Sequence, residues 1–224
     1  MDVLTALATR RSVRGFRPDP VPRATLEAIL TAAARAPSGS NVQPWRVRVT
    51  QGAERARLSA ALHEAHAAGA RVPREYEYYP RTWREPYLAR RRKVGWDLYA
   101  LAGVARGDTA AGDAQRARNF DFFGAPIGLF FLIDRDLEQG SWLDCGMFLQ
   151  SVMLAARGHG LHSCAQAAFC DHHDVVRRVL GLPSDQALIC GMAMGFEDTA
   201  EPTNALVTER AGLEDFVIFG DPST

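Results

Sequence analysis

Residues 10–16 read Arg-Arg-Ser-Val-Arg-Gly-Phe, and residues 36–45 read Ala-Pro-Ser-Gly-Ser-Asn-Val-Gln-Pro-Trp. The first stretch follows a short helix, which the spacing of its apolar residues predicts to end near Arg10. Three arginines and a serine can bind a phosphate, although basic residues at a helix C-terminus also serve simply to balance the helix dipole. The second stretch is a loop of small polar residues that leads into a strand. Neither stretch indicates a function alone. The two together in this order form a pattern that is specific enough to indicate a protein family.

Segments of helical and strand periodicity alternate along the rest of the chain. A helix is predicted from about Pro22 until Pro37 breaks it, and further helices over 52–68, 143–156 and 172–180. Strands are predicted over 45–50, 125–133, 161–165 and 187–195. Because no internal repeat and no Ser/Gly linker divides the chain, we expect one domain that spans residues 1–224.

The composition excludes several classes of protein. The 26 basic residues balance the 26 acidic ones, which argues against a nucleic-acid binder. A hydrophobic share of 47% excludes disorder for the bulk of the chain. The apolar runs are too short to span a membrane, and the N-terminus does not resemble a signal peptide. The four cysteines are few and lie in apolar stretches, so we expect no disulfide framework and a cytoplasmic location.

Three familiar site patterns are weak in this sequence. Residues 158–163 almost match the dinucleotide glycine pattern, but they follow a helix and precede a strand, whereas that pattern needs the opposite order. Histidines and cysteines crowd into residues 159–173 without a Cys-x-x-Cys pair, so a metal site is not expected. No Gly-x-Ser-x-Gly stretch indicates a serine nucleophile.

With these patterns set aside, the chain resembles the FMN-dependent nitroreductases. The resemblance rests on residues 10–16 and 37–45, the apolar helix 144–156 with Gly160-Leu161, the strand 191–195 and the C-terminal stretch 204–216. It implies an α+β fold in which a mixed β-sheet is flanked by helices. It further implies an intertwined homodimer with two FMN molecules at the dimer interface, each contacted by both subunits.

The same resemblance implies roles for individual residues. Arg10 and Arg210 would bind the FMN phosphate with Arg11 and Ser12 nearby, and Arg14 would lie along the ribityl chain and the pyrimidine edge. The partner subunit would contribute a set of loop residues: Pro37, Ser38, Gly39, Asn41 and Gln43. The stretch from Gln166 would bring a backbone N–H, aligned to Ala167, to flavin N5. No side chain is assigned as a catalytic acid, base or nucleophile.

Two departures from the family pattern are visible. Val207 stands where many relatives have an arginine, so Arg210 would bind without that second cation. The stretch around Gln166 lacks a proline and an acidic residue present in some relatives. This second departure bears on the substrate rather than on flavin binding.

The function implied is the reduction of nitroaromatic compounds by NADH or NADPH in two-electron hydride steps with ping-pong kinetics. The small aromatic substrate would stack in the slot that the nicotinamide leaves. One alternative keeps the flavin fold but uses another acceptor: an enone, a quinone, a halogenated phenol or flavin itself. The other is a non-catalytic module that binds flavin or metal. A membrane or nucleic-acid partner is not expected.

A stretch of unusual composition interrupts the chain. Residues 71–93 carry eight basic and three acidic residues, a local charge of 8 − 3 = +5, together with four of the five tyrosines. We expect an insert at about 71–105, with a looped first half and a helix through about Leu101, similar to the nitrobenzoate-reductase branch. It would either cap the flavin and pair Arg81, Arg84 or Arg90 with a substrate carboxylate, or serve as a surface or subunit contact.

Overall fold

A four-stranded sheet lies at the centre of the computed structural model, which describes residues 1–220. Its strands are β1 (Trp45–Gln51), β2 (Ile127–Asp134), β3 (His162–Gln166) and β4 (Gln186–Gly195). Their spatial order is β1-β2-β4-β3, and each pairing is antiparallel. The four predicted strands are therefore present, within about two residues of their expected ends.

The expected mixed sheet needs one correction. Within residues 1–220, parallel pairing is confined to a single bridge between Ser12 and Ser163 at the free edge of β3. The N-terminal segment does not continue as a fifth strand because it turns away after the bridge, where the Phe16 N–H donates to the carbonyl of Phe123 at 3.0 Å.

Helices surround the sheet, and those predicted from the sequence are confirmed. The helices of the described chain are α1 (Val3–Thr9), α2 (Arg23–Ala33), α3 (Gly52–Ala67), α4 (Tyr87–Leu101), α5 (Thr109–Ala117), α6 (Gln139–Gly158) and α7 (His173–Leu180). Helix α5 was not predicted because its apolar residues are small alanines, which give a weak signal; the side chain of Asp108 caps it by accepting from Ala111 N–H. No helix in residues 1–220 is long and apolar enough to cross a bilayer.

Two apolar cores lie on opposite faces of the sheet. Strands β2 and β4 are buried along nearly their whole length, as their continuous apolar sequences predict. Consecutive side chains of a strand point to opposite faces, so Phe130 and Phe131 belong to different cores. Helices α3 and α7 pack on the Phe130 side, and α2 and α6 pack on the Phe131 side. The result is three layers with the sheet in the middle.

The start of the insert is anchored to this body rather than free. Glu75 accepts a hydrogen bond from Leu188 N–H at 2.7 Å and pairs with Arg135 and Arg177. Burial acts to raise the pKa of Glu75, but the Leu188 N–H and Arg135 outweigh it and hold that pKa below its ordinary value. The Tyr76 hydroxyl donates to the carbonyl of Ile189. The base of the insert is therefore part of the folded body.

A glycine in β4 gives a test of how closely the first core is packed. A Cβ added at Gly191 would lie 2.3 Å from the ring of Phe169, which is fully buried. We expect Gly191→Ala to lower the free energy of unfolding by about 1–3 kcal/mol, because a tight core absorbs an added methyl poorly. The measurement is the urea midpoint, with Gly140→Ala as the control since its Cβ would meet nothing within 4 Å. Equal midpoints for the two variants would contradict the packing.

Candidate functional site

The N-terminal segment lies along β3 and is held by a buried asparagine. Val13 N–H donates to the carbonyl of Ser163 at 3.2 Å. The Asn204 side chain accepts from Arg14 N–H at 2.6 Å and donates to the carbonyl of Gly15 at 2.8 Å. Sequence analysis assigned no role to Asn204, although it begins the C-terminal stretch that carries the family resemblance. One side chain thus fixes the backbone on either side of Arg14.

Two arginines of this segment converge on the edge of the sheet. Burial raises the pKa of the Cys164 thiol, while the charges of Arg14 and Arg10 and a hydrogen bond with Ser12 act in the opposite direction. The bridge between Ser12 and Ser163 places this segment beside β3, where the side chains of Arg10 and Arg14 are both half-buried. Neither Arg10 nor Arg14 forms an ion pair with a carboxylate in the part of the chain that the structure describes. Half-buried cations without a counter-charge are suited to binding an anion.

Arg11 has a different environment from its two neighbours. Its guanidinium pairs with Glu197 and donates to the carbonyl of Asn204 at 3.2 Å. Next to this pair, His162 Nε2 accepts from Arg157 at 2.6 Å, and burial together with Arg157 and Arg11 lowers the pKa of His162 to about 4. The imidazole is therefore neutral near pH 7. Arg11 is therefore held inside a network of long-range contacts, and its assignment near the FMN phosphate stays a prediction.

The far end of β3 presents polar groups that lack partners. The Gln166 side chain donates to the carbonyl of Asn119 at 2.8 Å, but its Oε1 is buried without a hydrogen-bond partner within residues 1–220. Ala167 begins a short 3-10 helix, so its N–H has no acceptor inside that helix. The buried Gln166 Oε1, which lacks a partner among the described residues, and the Ala167 N–H thus belong to neighbouring positions at the end of β3.

The second stretch forms a strained loop on the other side of the molecule. Ser40, Asn41 and Gln43 adopt left-handed φ angles of 49°, 58° and 51°, which are unusual for residues other than glycine. Gln43 N–H donates to Ser38 Oγ at 3.0 Å. The loop borders a cavity of about 350 Å³ whose lining includes Pro37, Ser38, Asn41 and Gln43. Strain that the surrounding fold maintains is typical of a ligand-binding loop.

Helix α6 separates the two stretches within one chain. Near its start, the Asp144 carboxylate accepts from Gly39 N–H at 3.2 Å and so anchors the loop. Near its end, Arg157 lies in the network that contains Arg11. At 1.5 Å per residue these two points are about 20 Å apart along the helix. The loop therefore does not meet the arginine cluster, which comprises Arg10, Arg11 and Arg14, within a single chain.

Arg210 is not in contact with the arginine cluster. Its guanidinium is exposed and donates to Thr208 and to the carbonyl of Glu209. Val207, which stands in place of a family arginine, has 82% of its surface exposed. The structure places this segment beside α4, where Lys93 lies 3.5 Å from Glu209. The assignment of Arg210 to a phosphate stays a prediction.

Each of the three insert arginines that could meet a substrate carboxylate has a neighbour within the chain. Arg81 lies 3.9 Å from Glu77, and the Arg90 guanidinium lies 4.0 Å from Asp215. Arg84 lies 4.9 Å over the ring of Tyr87. The Arg81–Glu77 pair follows an i,i+4 spacing, whereas the Arg90–Asp215 pair joins residues that are far apart in sequence and so has no local signal. Among the described residues no group of three His, Cys, Asp or Glu side chains could hold a metal.

Comparison with known proteins identifies the family to which this chain belongs. A family model described as "Nitroreductase family" matches residues 7–196. The chain belongs to the nitroreductase family. The match includes residues 10–16 and 36–45, together with β3 and its free edge.

Relatives in this family are similar over nearly their full length. The chain is 41% identical over 211 residues to nitrobenzene nitroreductase of Ectopseudomonas oleovorans, covering 94% of this chain and 93% of that protein. It is 38% identical over 213 residues to 4-nitrobenzoate reductase of Nocardioides sp. (strain LMS-CY), covering 94% and 86%.

A solved structure agrees with the fold throughout. The FMN- and NADPH-dependent nitroreductase NfnB from sphigopyxis sp. strain HMH superposes with a TM-score of 0.95 at 41% identity, covering 99% of this chain and 100% of that one. The nitroreductase fold expected from the resemblance is confirmed.

Proposed function

We propose that this protein is an FMN-dependent oxidoreductase that uses NADH or NADPH to reduce small nitroaromatic compounds. The observation that carries the proposal is the pair of unneutralised arginines, Arg10 and Arg14, beside the polar end of β3. The names of the relatives support the nitroaromatic substrate, and the FMN dependence of the nitroreductase NfnB supports FMN as the cofactor.

The residues of the site suit the parts of FMN. Arg10 with Ser12 would hold the phosphate, and Arg14 would lie along the ribityl chain and the pyrimidine edge, where a cation favours negative charge on the ring. The orphaned Gln166 Oε1 and the Ala167 N–H would meet the polar edge of the ring system. Bound FMN would supply two-electron transfer between nicotinamide and acceptor in alternation. The chain itself binds, orients and polarises, so no side chain need act as acid or base.

A homodimer would complete each site. The Pro37–Gln43 loop lies about 20 Å along α6 from the Arg11 network, so it would serve the flavin of a second copy. Helix α1 packs on α6, and their outer residues Leu4 and Leu143 are 77% and 72% exposed, a pattern typical of an uncovered subunit interface. The apolar tail residues Phe216, Ile218 and Phe219 are exposed too, which suits an intertwined dimer.

The proposal also covers the domain organisation and the cellular location of the protein. Both cores share one sheet, which supports a single domain of residues 1–224 with an insert at about 71–105. The four cysteines are buried free thiols, as expected for a protein of the cytoplasm.

The function is tested with the protein as purified. We expect a yellow protein whose flavin absorbance is bleached anaerobically by NADPH or NADH and restored fastest by nitrobenzene or nitrobenzoate. The measurement is stopped-flow absorbance for a panel that also holds an enone, a quinone, a halogenated phenol and free flavin. If one of these other acceptors restored the flavin absorbance faster, the substrate class would be that acceptor's and not the nitroaromatic compounds. A flavin that neither nucleotide bleaches would indicate a binding module instead.

A further inference from the structure

A second and larger cavity lies away from the arginine cluster above β3. It has a volume of about 810 Å³ and lies between α4 and the segment that leads into α5. Volumes of this size suit a ligand the size of a nucleotide rather than a single small ring. The connecting segment turns at Gly103 and Gly107, whose φ angles of 70° and 89° allow the chain to bend around the cavity.

The lining of this cavity is strongly basic. Four arginines line it, with Asp108 as the single lining carboxylate: Arg91, Arg92, Arg106 and Arg116. Arg116 pairs with Asp113, and the Arg91 guanidinium lies 4.9 Å over the ring of Trp83. Arg92 and Arg106 have no hydrogen-bonding or ionic partner among residues 1–220. Asp108 accepts the Ala111 N–H and forms no ion pair with Arg92 or Arg106 among the described residues.

Aromatic surface accompanies the positive charge. The indole of Trp96 lines the cavity and is 61% exposed, an unusual state for so large an apolar ring. Tyr99 lines the same space and its hydroxyl accepts from Arg116 at 3.3 Å. An exposed indole offers a face on which a planar base can stack, while guanidinium groups bind phosphate.

One end of the cavity lies next to the proposed flavin site. Arg116 is two residues from Arg118, which donates to the carbonyl of Arg14 at 3.0 Å. From Tyr99, which contacts Arg116, helix α4 runs back to Arg91 over about 12 Å. The cavity therefore begins beside the Arg14 segment and extends away from it along α4. A molecule with one end at the flavin could place its other end here.

We propose that this cavity binds the adenosine 2′-phosphate end of NADPH and so makes the protein prefer NADPH to NADH. The inference rests on the proposed function, because the nicotinamide must lie at the flavin. Arg92 and Arg106 bind the 2′-phosphate, and the adenine stacks on Trp96. A nitrobenzoate is the less suitable occupant, since one carboxylate neutralises one guanidinium and a single ring fills little of the space.

The test uses binding probes that need no turnover. Adenosine 2′,5′-bisphosphate and adenosine 5′-monophosphate differ by the 2′-phosphate alone, and each is titrated into the flavin-loaded protein by calorimetry. We expect the bisphosphate to bind more tightly. Arg92→Gln and Arg106→Gln should each weaken the bisphosphate roughly 10- to 150-fold, the loss of one charge-assisted hydrogen bond. The control is Arg57→Gln on the exposed side of α3, which should change neither affinity.

A kinetic measurement extends the test to the complete nucleotides. The ratio of the kcat/KM values for NADPH and NADH should fall by the same factor in Arg92→Gln and Arg106→Gln, with unchanged circular dichroism and flavin content. Equal binding of the two probes to the wild type would overturn the proposal. The proposal would also be overturned if NADPH displaced neither probe, or if the variants selectively lost nitrobenzoate reduction. A protein that binds the bisphosphate selectively but is bleached by neither nucleotide would instead refute the proposed function.

Discussion

Arg10→Glu is expected to produce a largely colourless protein. Arg10 is half-buried in the segment that the Ser12–Ser163 bridge holds beside β3, and it has no carboxylate partner among residues 1–220. A glutamate there would remove charge-assisted hydrogen bonds of about 1.5–3 kcal/mol each and set a carboxylate against the phosphate dianion. The loss in FMN affinity should therefore exceed roughly 10- to 150-fold. The measurement is the flavin absorbance per protein after purification, followed by titration of the apoprotein with FMN.

A matched variant and a second ligand show whether the phosphate is responsible. Arg57→Glu makes the same change of charge on an exposed helix surface and should leave FMN content unaltered. Riboflavin lacks the phosphate, so its affinity should fall much less than that of FMN in Arg10→Glu. Full FMN occupancy in Arg10→Glu would show that Arg10 does not bind the phosphate. An equal loss of both flavins would indicate a general disturbance of the site.

The sheet and most helices could be predicted because their signals are local. Strands β2 and β4 are continuous apolar runs, and such runs are typical of strands buried on both faces. Helix α2 shows a clear apolar stripe through Leu26, Ile29 and Ala33, all buried in the structure. Helix α5 has only alanines in place of such large apolar residues. A further signal is the capping residue Asp108, which the spacing of apolar residues does not detect.

The roles of neighbouring arginines could not be predicted in the same way. Arg10, Arg11 and Arg14 are chemically identical and lie within five positions, yet Arg11 alone pairs with Glu197. That partner is 186 residues away in sequence, and so is invisible to a local pattern. The Asn204 contacts with Arg14 and Gly15 are equally remote. Long-range contacts such as these depend on the completed fold. The sequence therefore indicates which arginines are candidates for binding a ligand, but not which of them lack a partner within the protein.

Gly15 illustrates how such remote constraints act on the site. A Cβ on Gly15 would lie 2.2 Å from the Glu201 side chain. Glu201 in turn pairs with Arg118, which donates to the carbonyl of Arg14. The small residue lets Glu201 approach, and Glu201 then orients the arginine that links the N-terminal segment to α5. The short motif is therefore shaped by its neighbours as much as by any ligand.

Leu143→Glu is expected to convert a dimer into monomers and to release FMN at the same time. Leu143 lies on the outer face of α6, and Met147 is on the same side one turn later. In a twofold interface the substitution occurs twice. Each leucine contributes about 1.5–3 kcal/mol of burial, so the dimer should weaken by roughly two to four orders of magnitude before charge repulsion is added. Analytical ultracentrifugation measures the association state.

The coupling between assembly and cofactor is the decisive part of this result. The Pro37–Gln43 loop is anchored to the start of α6 by Asp144 and lies far from Arg10 in the same chain, so a monomer would hold only half of each site. FMN content should therefore fall together with the dimer fraction, and added FMN should drive Leu143→Glu partly back to dimer, because a ligand stabilises the state that binds it. Ala60→Glu, an exposed position on α3, should change neither quantity. A monomeric Leu143→Glu protein that retains FMN would show that one chain forms the whole site.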